Sequence, residues 1–305
     1  MKFTMFPESP YDLTRCIMVF IQFPSDGTDV WIPPREVLPA SYRRLHVIED
    51  EPVLVIVQKN FSGKEGELKV CTSPEKIRNP AQLEERVRWQ FHLDAPLTEF
   101  YHRAKNHSFF KPIIKNLFGV KPLRPPTLYE MAVIAITEQQ LAYPVAVKMR
   151  SRLVEALGQK MIVDGVEYRA FPTPRSVAQS RVPDLQALSF STRKAEYLID
   201  LSRKVADGFN LEELRSRSNE EVIPALTSLR GFGRWSAEYF LSRGLGRSEV
   251  FPADDLGLQT LVGKYLGPGH RVTAEECREI LKPWEPYTRW AVFYLFCASR
   301  LGLIQ

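Results

Sequence analysis

Closely spaced metal ligands are missing from this 305-residue chain. Its four cysteines are far apart in the sequence, at Cys16, Cys71, Cys277 and Cys297. No two of them form a C-x-x-C pair, which argues against a zinc knuckle or an iron–sulfur cluster. None of the five histidines belongs to an H-E-x-x-H or H-x-E element, which argues against a zincin or a zinc deaminase. We therefore expect reduced, buried thiols and a chemistry that uses other groups.

Long apolar runs are missing as well. No stretch of about 18 consecutive apolar residues is present, and residues 1–10 lack the basic and apolar regions of a signal peptide. We therefore expect no membrane association and a cytoplasmic location, at the nucleoid if the source is prokaryotic. The chain has 44% hydrophobic and 25% charged residues, which is typical of a globular protein with a sizeable core. Its net charge of +5 suits a polyanionic partner without requiring one.

The periodicity of apolar residues changes along the chain. Residues 16–23, 52–58 and 67–71 are short runs rich in Val, Ile and Phe, which predict strands. From Gln82 onward the spacing is helical, except for a hairpin predicted at Asp164-Gly165. The pattern predicts an α+β chain. A small antiparallel β-sheet domain is expected in residues 1–90, and a mostly α-helical bundle of short helices in residues 91–305.

A capping box is predicted before one of these helices. Thr127 is followed three residues later by Glu130, directly ahead of an apolar segment over residues 128–137. Glu138-Gln139-Gln140-Leu141 then marks the end of that helix.

A glycine-rich turn lies between two predicted helices in residues 226–241. Gly231 and Gly233 permit positive φ and close backbone approach, and the N–H groups at the start of the next helix favour an anion. Alone, this G-x-G sequence favours a simple glycine-terminated helix. A second segment, Val250-Phe-Pro-Ala-Asp-Asp-Leu, follows about twenty residues later. The pair of segments favours a phosphate-binding turn near a carboxylate.

Together these segments resemble the helix-hairpin-helix and the Gly/Pro-rich loop with its aspartate that define a superfamily of DNA glycosylases. The resemblance is to its AlkA-type alkylpurine glycosylases (3-methyladenine DNA glycosylase II). It includes residues 171–174, 191–198 and 282–291 and covers residues 128–305. It implies a helix-hairpin-helix motif at about 226–241, a catalytic-aspartate loop at 250–256, and a monomer that acts on double-stranded DNA with damaged bases.

The resemblance also implies roles for individual residues. Asp255 would be the catalytic carboxylate, which stabilises the positive charge that develops on the sugar as the base leaves. Trp235, Tyr239 and Phe296 would line the pocket for a flipped base, where aromatic rings favour a cationic alkylated purine. Gln140 matches the residue that fills the gap left by that base, and Leu141 is the neighbouring candidate for this wedge.

The turn itself would bind the DNA backbone. The resemblance implies that backbone N–H groups of Gly231, Phe232, Gly233 and Arg234, and of the adjoining Trp235, hold a phosphate. Backbone carbonyls of Thr227, Leu229 and Phe232 would bind a monovalent cation, Na⁺ or K⁺. No other cofactor and no iron–sulfur cluster are expected.

Trp235 occupies the position at which bifunctional members of the superfamily carry a lysine that forms a Schiff base with the sugar. The resemblance therefore implies a monofunctional enzyme, which removes the base and leaves the strand intact.

Other interpretations of these residues stay open at the level of sequence. Asp254 or Asp255 could simply cap the following helix, the aromatic residues could belong to the core, and Gln140 could be a polar helix end. The motif could also serve as a non-catalytic DNA-binding module, for which neither Asp255 nor the Trp235/Tyr239 pair is needed. A glycosylase of the same fold could prefer another lesion, such as 1-methyladenine or hypoxanthine. An acid/base enzyme on small molecules lacks the required groups.

Overall fold

The computed structural model describes residues 1–34, 39–60 and 66–304. The chain forms two compact units, the first made of residues 1–96 and 119–209 and the second of residues 97–118 and 210–305. The predicted α+β class, mostly helical with a small N-terminal antiparallel sheet, is confirmed. The sequence boundary expected near residue 90 stays a prediction, since the compact units are discontinuous in sequence. Within the described ranges, no helix has the length and apolar character needed to cross a bilayer.

A five-stranded antiparallel sheet forms part of the first unit. Its strand order is β1-β5-β4-β3-β2. The strands are β1 (Lys2–Met5), β2 (Asp29–Ile32), β3 (Ser41–Ile48), β4 (Glu51–Lys59) and β5 (Leu68–Ser73). Alternate residues of a strand face opposite sides of the sheet, and in β4 Val55 belongs to one buried cluster while Leu54 belongs to another. The sheet is therefore covered on both faces, which explains the uninterrupted apolar run in β4.

The strand predicted at residues 16–23 is wrong, because residues 16–20 lie in helix α1 (Leu13–Phe20) and residues 21–23 form the turn that follows it. The Asp12 side chain accepts a hydrogen bond from the Arg15 N–H at 3.0 Å and so caps the helix. Leu13, Cys16 and Ile17 are buried, and this spacing gives a helix one apolar stripe. The Val and Ile content suggested a strand, but the cap and the helical spacing of the buried residues determine the outcome.

The other helices of the first unit follow the sheet and include one that is buried on all sides. They are α2 (Pro80–Gln90), α5 (Leu128–Glu138), α6 (Tyr143–Leu157), α7 (Pro174–Ala178), α8 (Val182–Ala187) and α9 (Thr192–Ala206), numbered in chain order across both units. All residues from 128 to 137 of α5 are buried. Strands β6 (Lys160–Val163) and β7 (Val166–Arg169) form the hairpin predicted at Asp164-Gly165, whose residues both have positive φ.

The predicted capping box of α5 is only half formed. The Thr127 hydroxyl accepts the Glu130 N–H at 3.1 Å, as expected of an N-cap. The Glu130 carboxylate does not return to the cap; it accepts two hydrogen bonds from Arg44, at 2.6 and 2.7 Å. Arg44 also donates to Asp29 at 2.7 Å, so one buried guanidinium joins α5 to the sheet.

The second unit is helical around an aromatic core. Its α-helices are α3 (Thr98–Ala104), α4 (Phe110–Asn116), α10 (Asn219–Thr227), α11 (Arg234–Tyr239), α12 (Leu256–Tyr265), α13 (Ala274–Leu281) and α14 (Thr288–Arg300). A π-helical turn over residues 240–245 continues α11. Phe100 stacks on Tyr294 with ring centroids 5.2 Å apart, and Trp284 packs edge-on against Phe110 at 4.5 Å. This core joins α3, α4 and α14 with the turn that contains Trp284.

We expect Gly263→Ala to destabilise the protein. Alanine in place of a helical glycine normally stabilises by up to about 1 kcal/mol. A Cβ at this position of α12, however, would overlap the carbonyl oxygen of His270, which is backbone and cannot rotate away. We expect a net loss of about 1–3 kcal/mol in the free energy of unfolding, measured in urea. Thr260→Ala, at an exposed position of the same helix, is the control, and equal stability of the two variants would contradict the close packing.

Candidate active site

The glycine-rich turn joins α10 to α11 and has one conformationally required glycine. Gly231 has a φ of 90°, which glycine adopts without strain. Gly233 has a φ of −101° and a ψ of −176°, so this second glycine does not use the positive φ that its residue type permits. A Cβ built on Gly233 would have no heavy atom within 4 Å. Neither conformation nor packing therefore demands a glycine there, and its bare backbone leaves the start of α11 open to a ligand.

The side chains of the turn are engaged within the protein. Phe232 is buried, and its N–H donates to the Leu229 carbonyl at 3.0 Å. The Arg234 side chain is largely exposed and donates to Glu238 at 3.0 Å. The buried Glu238 also binds Arg278 at 3.0 Å. The Phe232 N–H, which the sequence analysis assigned to the phosphate, is thus used inside the turn, and a phosphate here would contact the N–H groups at the start of α11, those of Gly233 and Arg234.

The carbonyl groups predicted to bind a cation are compatible with that role. Thr227 and Leu229 lie at the end of α10 and just after it, where helical carbonyls lack intrahelical partners. The Leu229 oxygen accepts one hydrogen bond and has a second lone pair. The Thr227 hydroxyl donates to the Ile223 carbonyl at 2.9 Å. Backbone oxygens are ligands that hard cations accept, so the donor set fits Na⁺ or K⁺, and the cation stays a prediction.

Asp255 is the N-cap of α12, and its carboxylate is held at both oxygens. One oxygen accepts the Leu258 N–H at 2.8 Å, and the other accepts the Trp235 indole N–H at 3.3 Å. The capping interpretation is thus correct as far as it goes, but a cap uses only one oxygen. The second bond ties the carboxylate to α11. The neighbouring Asp254 is exposed.

Gly257 is a residue that the sequence analysis missed. A Cβ there would lie 3.1 Å from the capping oxygen of Asp255, closer than such contacts usually are. The glycine two residues after the aspartate therefore leaves room for the carboxylate. The D-x-G spacing was a signal that could have identified it.

Trp235 and Tyr239 form a stacked pair on α11. Their ring centroids are 5.1 Å apart with an angle of 26° between the planes, and both side chains are half-buried. The Tyr239 hydroxyl accepts a hydrogen bond from Arg243 at 2.6 Å. Arg243 lies in the π-helical turn, and no sequence signal pointed to it.

Phe296 is separate from this pair. It is half-buried on α14 and makes no ring contact with Trp235 or Tyr239 among the contacts of the described residues. The structure therefore brings together Asp255, Trp235 and Tyr239, and leaves the pocket role of Phe296 a prediction.

Gln140 and Leu141, the predicted wedge residues, lie in the first unit directly after α5. Both are exposed, and Gln140 has a φ of 54°. Lys194 and Arg150, which hydrogen-bond to this region, were missed because nothing in the sequence shows which distant cation reaches a helix end. The wedge role itself stays a prediction.

The described residues of the second unit contain no cluster of side chains that could bind a metal ion. Across the described ranges, no three His, Cys, Asp or Glu side chains are close enough together to hold a metal ion. The candidate site is thus a carboxylate beside two stacked rings.

We expect Asp255→Ala and Asp255→Asn to differ in stability. Asparagine can still accept the Leu258 N–H, whereas alanine leaves that donor without its cap. Urea unfolding should give a free energy about 1 kcal/mol lower for Asp255→Ala than for Asp255→Asn. Two variants of equal stability would show that the cap contributes nothing. Asp254→Ala controls for the loss of one exposed carboxylate in the same loop.

Known proteins match this chain over the segments just described. Residues 133–286 match the family model of the HhH-GPD superfamily of base excision DNA repair proteins. The YfjP protein of Bacillus subtilis is 31% identical over 79% of this chain and 82% of its own length. A solved 3-methyladenine DNA glycosylase from Archaeoglobus fulgidus has a TM-score of 0.84 and 26% identity, covering 98% of this chain and 99% of that chain.

A further solved relative was determined with DNA. The 3-methyladenine DNA glycosylase Mag1 of Schizosaccharomyces pombe, in complex with abasic DNA, has a TM-score of 0.57 and 27% identity. The similarity covers 67% of this chain and 98% of that chain.

The family match spans about half of the chain and contains the glycine-rich turn, the stacked pair and Asp255. The resemblance inferred from these motifs is therefore confirmed. This chain belongs to the HhH-GPD superfamily of base excision DNA repair proteins.

Proposed function

We propose that this chain is a monofunctional DNA glycosylase of base excision repair that removes alkylated bases, such as 3-methyladenine and 7-methylguanine, from double-stranded DNA. The observation that carries the proposal is the Asp255 carboxylate, fixed at both oxygens, one of them by the indole of the stacked Trp235/Tyr239 pair. The similarity to the A. fulgidus 3-methyladenine glycosylase covers nearly all of both chains, and the similarity to the S. pombe enzyme covers two thirds of this chain and nearly all of that one.

The reaction needs a negative charge more than it needs an acid. The bond between C1′ and the base nitrogen breaks, its electron pair leaves with the base, and the sugar becomes oxocarbenium-like. The ionised Asp255 stabilises that positive charge. A water molecule then bonds to C1′, and its proton passes to the carboxylate or to solvent. Because an N3- or N7-methylated purine is already cationic, it departs as a neutral base without being protonated.

The stacked pair would recognise the flipped base from one side. At a centroid distance of 5.1 Å the two rings are already in contact, so no base fits between Trp235 and Tyr239. The base would instead lie on an outer face of the pair, where the ring quadrupole attracts its positive charge. Phe296, which makes no direct ring contact with the pair among the contacts of the described residues, would supply a second surface for the base.

The rest of the machinery would grip and open the duplex. The backbone N–H groups of Gly231, Gly233 and Arg234 would hold a phosphate, supported by Na⁺ or K⁺ on the carbonyls of Thr227, Leu229 and Phe232. That cation would neutralise phosphate charge and takes no part in bond breaking. Gln140 or Leu141 would fill the gap left by the flipped nucleotide. Such an enzyme would act as a monomer in the cytoplasm, at the nucleoid in a prokaryote, with no other cofactor.

The decisive experiment measures base release from methylated duplex DNA. We expect the wild-type chain to release 3-methyladenine and 7-methylguanine faster than hypoxanthine, with little action on uracil or 8-oxoguanine, as followed by chromatography under single-turnover conditions. Asp255→Asn should fold and bind DNA but release bases about 100- to 1,000-fold more slowly, because the charge is lost while the cap is kept.

Asp254→Asn is the matched control, since it removes one exposed carboxylate from the adjacent position. It should leave the rate nearly unchanged. Near-normal turnover by Asp255→Asn would refute the mechanism. A wild-type chain that binds DNA and releases no base would instead indicate a non-catalytic binding module.

We expect the product to be an intact strand with an abasic site. The indole of Trp235 has no amine that could attack C1′, so no Schiff base should form there. Borohydride added during turnover should trap no protein–DNA adduct, and strands should break only after hot alkali. A lysine-dependent bifunctional glycosylase run in parallel controls for the trapping chemistry. A trapped complex of this chain would contradict the monofunctional assignment.

A further inference from the structure

The turn after α5 leaves the helix through a strained backbone position. The chain exits at Gln139, with a φ of −54° and a ψ of 125°, and Gln140 then adopts a φ of 54°. Residues other than glycine rarely adopt this left-handed conformation and keep it only where their surroundings impose it. Residues 138–142 are called the wedge turn below. Something next to the wedge turn must hold its backbone.

Lys194 makes that contact from the first turn of α9. Its ammonium donates to the Thr137 carbonyl at 2.7 Å and to the Gln139 carbonyl at 2.8 Å. These are the last carbonyls of a helix, which have no intrahelical partner, and a cation there also complements the helix dipole. The Ser191 hydroxyl accepts the Lys194 N–H at 3.3 Å and so fixes the start of α9. The lysine therefore joins two helix ends across the wedge turn.

The Lys194 ammonium has lost part of its hydration at this contact. The Lys194 side chain is about half-buried, and the loss of solvation lowers its pKa to about 8. A surface lysine would gain more by remaining hydrated, so its two short bonds to carbonyls compensate for that loss.

Arg150 holds the other side of the same segment. From α6 it donates to the Thr137 hydroxyl at 2.9 Å and contacts the Glu138 carboxylate at 3.0 Å, and it is almost fully buried. Arg150 therefore contacts side chains, whereas Lys194 contacts the backbone that leads directly into Gln140. The exposed residues Gln140 and Leu141 thus follow a helix end that is held by two cationic side chains from different helices.

We propose that Lys194 is a positioning residue that holds the wedge turn in the conformation that fills the duplex after the base is flipped out. This role rests on the proposed function, because a wedge has a use only in a chain that flips bases. Lys194 would touch neither the base nor the sugar. It would act through Gln140 and Leu141, whose side chains must stay rigid to replace the stacking that the flipped base gives up.

The test compares a well-paired lesion with the same lesion in a mispair. Flipping costs least where a base is already poorly paired, so a rigid wedge matters most for the well-paired lesion. We expect Lys194→Met to slow single-turnover release of 3-methyladenine about 10- to 100-fold when the lesion lies opposite thymine. The same variant should slow release by no more than about threefold when the lesion lies opposite a mismatched base. Lys194→Arg, which keeps a cation and several donors, should restore most of the rate.

Lys204→Met is the matched control, because it makes the same change at an exposed position of the same helix. It should leave the ratio of the two rates at the wild-type value. Circular dichroism and thermal melting establish whether each variant is folded. If Lys194→Met does not fold, the comparison is made with Lys194→Arg, which should keep the wild-type ratio of the two rates.

The outcomes separate the two levels of inference. If the wild-type chain is active and Lys194→Met has the same ratio of release rates from the paired and the mispaired duplex, the positioning role alone is refuted. The same holds if Lys194→Arg and Lys194→Met lose equal activity on both duplexes. A wild-type chain that releases no base from either duplex would refute the proposed function and, with it, the role of Lys194.

Discussion

The two hydrogen bonds on the Asp255 carboxylate fix the geometry of the site. One bond anchors the carboxylate to the start of α12, and the other joins it to Trp235 on α11. Since α11 begins at Arg234 and Trp235 is its second residue, the proposed phosphate-binding backbone and the indole that holds the carboxylate are adjacent in sequence. The proposed contact with the DNA phosphate and the carboxylate proposed to face the sugar are therefore connected through one short segment of α11.

A buried carboxylate three residues after Trp235 on α11 also keeps that segment in place. Glu238 is almost completely buried and is bound by Arg234 from its own helix and by Arg278 from α13. A buried charge is unfavourable unless it is paired, so the pairing constrains where α11 can lie against α13. The largely exposed Arg234 adds less to this constraint than the partly buried Arg278.

Local signals in the sequence predicted what depends on neighbouring residues. Thr127 as a cap, the hairpin at Asp164-Gly165 and the Trp235/Tyr239 pair each follow from spacings of a few residues. Contacts between distant segments were beyond such reasoning: Glu130 binds Arg44 from the sheet instead of closing its capping box, and Lys194 reaches carbonyls more than fifty positions earlier. Composition was misleading at residues 16–23, where helical spacing of buried side chains prevailed over β-branched content. The second bond of Asp255, to an indole twenty residues away, had no sequence signal either.

The π-helical turn after Tyr239 has a consequence for how related chains should be compared. A π turn accommodates more residues than an α turn over the same stretch of helix. A relative that is shorter by one residue between Tyr239 and Gly246 could close a regular α-helix there. Every later side chain on that stretch would then be rotated by about 100° around the axis. The rotation of Arg243 around the helix axis relative to Tyr239 thus decides whether its side chain reaches the tyrosine hydroxyl. An ungapped alignment with such a relative would equate residues that point in different directions.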